Sequence, residues 1–143
     1  MSISQDWITN ELEDTELEAL HRSPSVEYSF YNAVRAGDME AVNKNCEEDS
    51  FLHLKGTGIL SKNPLTNLKY HFVVTTAMIT RYCIDGGLEP EQAYRLSDFY
   101  ILKMDSCSMM DSNVMMRSPG KIKPCMSASQ RGVKAGRSPC CEK

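Results

Sequence analysis

The chain has 143 residues with 41% hydrophobic, 24% charged and 8% aromatic content, which fits one domain around one core and excludes a multidomain enzyme, a collagen, a mucin-like stalk and a wholly disordered chain. Its net charge of −3 conceals an asymmetry: residues 1–117 hold 10 Lys and Arg against 18 Asp and Glu, a net −8, whereas residues 118–143 hold 6 against 1, a net +5. No window reaches about 18 consecutive apolar residues, and the acidic start MSISQDWITNELED has neither a basic n-region nor an apolar h-region, so a cytoplasmic location is expected. Without a secretory signal, Cys46, Cys83, Cys107, Cys125, Cys140 and Cys141 are expected as reduced thiols rather than as a disulfide scaffold.

In chain order, Trp7, Ile8, Leu12, Leu17 and Leu20 form a loose helical stripe with an acidic outer face over Gln5 to Leu20. Ser23-Pro24-Ser25 supplies a break and an N-cap, after which Val26, Phe30, Ala33 and Val34 recur at helical spacing until Gly37. Asp38 then caps a short helix, MEAVNKNC, so that Tyr28 to Cys46 reads as an αα-hairpin. The stretch EEDSFLHLKGTGILSKNP has no period and reads as a loop.

The best-defined element opens at Asn63-Pro64, a favoured cap followed by a proline whose missing N–H has no helical partner to lose. Leu65, Leu68, Phe72, Thr75, Ile79 and Tyr82 follow as one helical face over nearly five turns. Val73-Val74-Thr75-Thr76 would suit a strand on propensity alone, but the period outweighs it. Gly86-Gly87 stop the helix; Glu89-Pro90 start another with Ala93, Leu96, Tyr100 and Met104 on one side, and the two are expected to pack antiparallel across a short turn. After about Cys107 no apolar period survives. The expected fold is all-α, a small bundle of about five helices over residues 5–107, followed by a disordered basic tail at 108–143.

Little in the chain suggests chemistry. His21, His53, His71 and the cysteines form no CxxC or HxxxH pair, and the adjacent Cys140-Cys141 would not direct two ligands to one zinc. Cys83 and His71 share a helix about 18 Å apart at 1.5 Å per residue, too far for a catalytic dyad, so Cys83 reads as a small buried side chain. GTG at 56–58 and Gly86-Gly87 both lack the context of a phosphate-binding loop. The bases Lys121, Lys123, Arg131, Lys134 and Arg137 have neither aromatics nor a period among them, so they read as a solvated tail. No enzyme, metal or cofactor is expected. Lys69, Tyr70, His71 and Arg81 on the long helix, with Tyr94, Arg95, Asp98 and Tyr100 on the next, are candidates to line an effector pocket or partner surface. The bland alternative is a solvated face with pairs such as Arg95–Asp98 at i,i+3.

The run NPLTNLKYHFVVTTAMITRYCIDGGLEPEQAYRLSDFYILKMD, residues 63–105, closely resembles the end of the N-terminal region in a set of AraC-type transcriptional regulators of Gram-positive bacteria. YSFYNAVRAGDMEAVNKNC, residues 28–46, and the GTGILSKNPL loop also look like that region. The resemblance covers about residues 26–105 and implies an all-α module for effector sensing and subunit association, upstream of a domain with two helix-turn-helix motifs. This chain instead continues into an unpatterned tail, so the resemblance implies a truncated regulator with no recognition helix, and no specific DNA binding is expected of it.

Two readings follow: an orphaned regulatory module that associates with itself or with intact regulators, or a stand-alone domain binding a small-molecule effector without catalysis. Two apolar stripes between residues 65 and 104 exceed what one helix pairing buries, and an exposed patch of more than a few hundred Å² usually finds a partner. A C2 dimer through the long helix is therefore expected, with Phe72, Ile79, Tyr82 and Tyr100 as contacts. The alternative is that these four fill the monomer's own core.

Overall fold

The computed structural model describes residues 21–47 and 56–108, together with Ile3, Gln5, Trp7 and Met110. Among them the chain is all-α: α1 (Pro24–Ala36), α2 (Met39–Glu47), α3 (Pro64–Asp85) and α4 (Pro90–Asp105). These are four of the five expected helices. The helix expected over Gln5 to Leu20 lies largely outside the described residues, although Ile3, Gln5 and Trp7 are helical and exposed. The tail expected at 108–143 lies outside them too, apart from Ser108 and Met110.

Local signals set the helix boundaries. Pro24 takes the first position of α1, and Gly37 ends it in the left-handed region at φ 72°, where an L side chain would be strained. Ser23 precedes the helix as expected but does not cap it with its side chain: its Oγ is 2.8 Å from that of Ser25 instead. Asp38 accepts a hydrogen bond from the Ala41 N–H at 3.0 Å. Asn63 accepts from the Thr66 N–H at 2.9 Å, satisfying a donor that the start of α3 leaves unpaired. Glu89 performs the same service twice, accepting from the N–H groups of Glu91 at 3.0 Å and Gln92 at 2.7 Å. The β-branched run of residues 73–76 is helical throughout.

Helix α3 is central, packing against α1 on one side and α4 on another. The predicted face supplies buried Leu68, Phe72, Thr75 and Ile79, and a second row, Thr76, Thr80 and Cys83, is buried beside it. One core cluster joins Phe30, Tyr31, Val34 and Val42 to Ile79, Cys83, Leu88 and Ala93; a smaller one joins Leu68 and Phe72 to Met104. Cys83 is fully buried, the small core side chain expected of it. Helices α3 and α4 run antiparallel, since the Lys69 ammonium donates to the Asp105 carbonyl while Arg81 lies over the Tyr94 ring near the turn.

This arrangement corrects the expected dimer contacts. Phe72 is 0% exposed and Ile79 3%, so both are occupied inside the monomer. Tyr82 is half-buried and stacks on Tyr31 with centroids 5.2 Å apart and planes at 24°. Tyr100 is half-buried against the Leu68–Phe72–Met104 cluster. The physical reason is that α3 has partners on two sides, which widens its buried arc beyond the single stripe read from the period.

Candidate functional site

The first half of α3 seats the loop that precedes it. The Asn67 side-chain oxygen accepts from the N–H groups of Leu60 at 2.7 Å and Ser61 at 3.2 Å. One turn later the His71 Nε2 lies 2.7 Å from the Gly58 carbonyl oxygen. A carbonyl only accepts, so Nε2 carries the proton and donates. Gly56 accepts from the Arg22 N–H at 2.8 Å, tying the same loop to the chain before α1. His21 closes in from the other side: a Cβ at Gly58 would lie 2.8 Å from its Nε2, so only glycine fits without displacing that ring. His71, read from sequence as a candidate for binding, is thus a loop anchor, and the Asn67–His71 pair at i,i+4 is the sequence signal for it.

The other candidates do not converge. Lys69 is engaged at the end of α4, whereas Arg81, about 18 Å further along α3 at 1.5 Å per residue, lies 5.3 Å from the Tyr94 ring centroid. Tyr94, Arg95 and Asp98 are exposed. Arg95 pairs through Nε with Glu91 at 3.1 Å, one turn before it, rather than with Asp98 as the solvated-face alternative had it. Its neighbours Glu89, Glu91, Gln92 and Leu96 line a depression of about 500 Å³ at the start of α4. There the Glu89 carboxylate is spent on capping and that of Glu91 on Arg95. Tyr100 meets Phe99 edge to face at 5.2 Å.

Some polar groups are buried wholly or in part. Burial, reinforced by the nearby Glu27 carboxylate, pushes the Tyr31 phenol well above its ordinary range, opposed by its hydrogen bond with Thr75. Burial lowers the Arg22 guanidinium, with Glu27 opposing it. The Thr80 hydroxyl donates to the Thr76 carbonyl at 2.8 Å, whereas the buried Thr76 hydroxyl has no hydrogen-bond partner. Among the described residues, no three His, Cys, Asp or Glu side chains gather as a metal site, and no helix is long and apolar enough to cross a membrane.

Among the described residues, the outward side of α3 is an unusual surface for a helix at the centre of the fold. From Tyr70 to Thr80 the sequence has no Asp, Glu, Lys or Arg, so about three turns of the helix carry no charged side chain on any face. Tyr70 is 51% exposed, Val73 40%, Val74 55% and Met78 37%. With the half-buried Ala77 between them they form one continuous strip. A helix that is apolar all round is normally covered all round. The sequence reading marked Tyr70 but missed the valines and Met78, because it followed only the 3.6-residue stripe that fills the core; the charge-free run was the visible signal.

No family model matches this chain, and neither a curated protein nor a solved structure matches it. The functional reading therefore rests on the residues and their placement.

Proposed function

We propose that the helical region is a non-catalytic regulatory module, of the kind that the resemblance to the N-terminal region of AraC-type regulators implies, and that its work is subunit association. The observation that carries the reading is the uncharged, exposed side of α3, which lies within the 63–105 segment on which that resemblance stands. An exposed apolar strip at the centre of a helical unit is what an association element requires, since burial of apolar area is the main favourable term in protein–protein contact. The stand-alone effector-binding reading has less support. Lys69, His71, Arg81 and Arg95 point their polar groups to four separate partners.

In this reading the chain acts by forming mixed assemblies with regulators that carry the same segment. The test is to mix the full chain with an intact AraC-type regulator containing an NPLxNLKYHF segment and to examine the mixture by native mass spectrometry and gel shift. A mixed species that alters the regulator's operator complex is expected. Separate species at micromolar concentrations of both, with the operator complex unchanged, contradict it.

A further inference from the structure

We propose that the outward side of α3 is the contact between two copies of this chain, paired antiparallel about a two-fold axis level with Thr75 and Thr76. The inference deepens the association reading by naming the surface and its occupant. Its basis is the self-complementarity of the strip. In an antiparallel pairing centred there, Tyr70 stands opposite Arg81 of the second copy and Val74 opposite Ala77, with Val73 on one flank of the contact and Met78 on the other, and each pairing occurs twice, as an isologous contact requires. The centre of the contact is then apolar on both copies, and Tyr70 meets Arg81 at either end.

Charge selects this direction over the parallel one. Arg81 and Asp85 both lie at the C-terminal end of α3 and are exposed, and a parallel pairing would set each against its own kind. The antiparallel pairing separates them by the length of the strip and brings each Arg81 to a Tyr70 ring. Arg81 is held over Tyr94 at the rim of the strip, and Tyr70 is half exposed, so a guanidinium–aromatic contact across the interface closes either end. The strip offers a few hundred Å² of apolar surface per copy, the range in which an exposed patch is functional. It is small beside a standard interface of about 800 Å² per partner, so a dissociation constant on the order of micromolar is expected.

Sedimentation equilibrium of the full chain under reducing conditions, from about 1 to 100 μM, provides the test. The wild-type chain is expected to pass from monomer to dimer over that range. Val74→Glu should weaken the dimer at least about tenfold with an unchanged helix signal by circular dichroism, because the position is exposed in the monomer. Direction is tested by Val74→Lys and Ala77→Glu, each of which should weaken the dimer alone. Combined in one chain they should restore it, since the two new charges face each other only across an antiparallel contact. A chain monomeric at every concentration, or a double variant no better than its single parents, overturns the proposal. So does a dimer indifferent to Val74→Glu, which would discard this face yet leave the association reading standing. A monomeric chain that also fails to join an intact regulator would discard both.

Discussion

The two sides of α3 carry similar residues and do different work. Inward lie Leu68, Phe72, Thr75, Thr76, Ile79, Thr80 and Cys83, all buried; outward lie Tyr70, Val73, Val74 and Met78, all exposed. Hydrophobicity alone does not separate the two rows: the inward row holds three threonines, and the outward row holds two valines and a methionine. Position relative to α1 and α4 separates them. Stability is thus concentrated on one arc of the helix, and the opposite arc is left apolar without contributing to the core.

Substitutions on the two arcs should differ in size by nearly an order of magnitude. The largest effect is expected at Phe72, fully buried between Leu68 and Met104, where Phe72→Ala should cost about 3–5 kcal/mol in urea unfolding. A loss below about 1 kcal/mol would mean that the smaller cluster is not a core. Asn63→Ala, which removes the cap on Thr66, should cost about 1 kcal/mol. Thr76→Val keeps the volume and deletes a buried hydroxyl that has no partner, so it should stabilise the chain by up to about 1 kcal/mol. A destabilised variant would show that the hydroxyl is bonded after all. Val74→Glu on the outward arc should change the unfolding free energy of the monomer by no more than about 0.5 kcal/mol.

Tyr31 sharpens the comparison from the α1 side. Its phenol titrates above the ordinary value of 10.0, through burial first and the Glu27 carboxylate second. A group whose folded pKa is raised contributes stability that is complete below its unfolded pKa and is lost as pH rises towards the folded one. The wild-type chain should therefore lose stability above about pH 10 more steeply than Tyr31→Phe, as measured by urea midpoints at several pH values. Equal slopes would mean that the ring is solvated in the folded state.

The elements that sequence made legible are those with chemical punctuation. Asn63-Pro64, Asp38, Glu89-Pro90, Gly37 and Gly86-Gly87 mark the ends of helices that the structure bounds at the same places, because caps and left-handed stops are local interactions. What stayed illegible depends on tertiary neighbours. The period in α3 shows one stripe, but burial of Thr76 and Thr80 needs a second packing partner, and its direction is not written in residues 64–85. For the same reason Phe72 and Ile79 were equally suited to a core or to a dimer contact until α1 and α4 were placed. His71 and Arg95 both suited a binding surface, and Arg95 also a pair with Asp98; their real partners, the Gly58 carbonyl and Glu91, could not be chosen by spacing alone.

The division of α3 into a stabilising arc and an associating arc is tested most directly by the thermal midpoint at several protein concentrations. Association of folded chains stabilises them by mass action, so the midpoint of the wild-type chain should rise from about 1 to 100 μM, while that of Val74→Glu stays constant at the wild-type low-concentration value. A wild-type midpoint independent of concentration, or a Val74→Glu midpoint well below the wild-type value at the lowest concentration, would contradict it: the first because the outward arc then joins nothing, the second because it then belongs to the core.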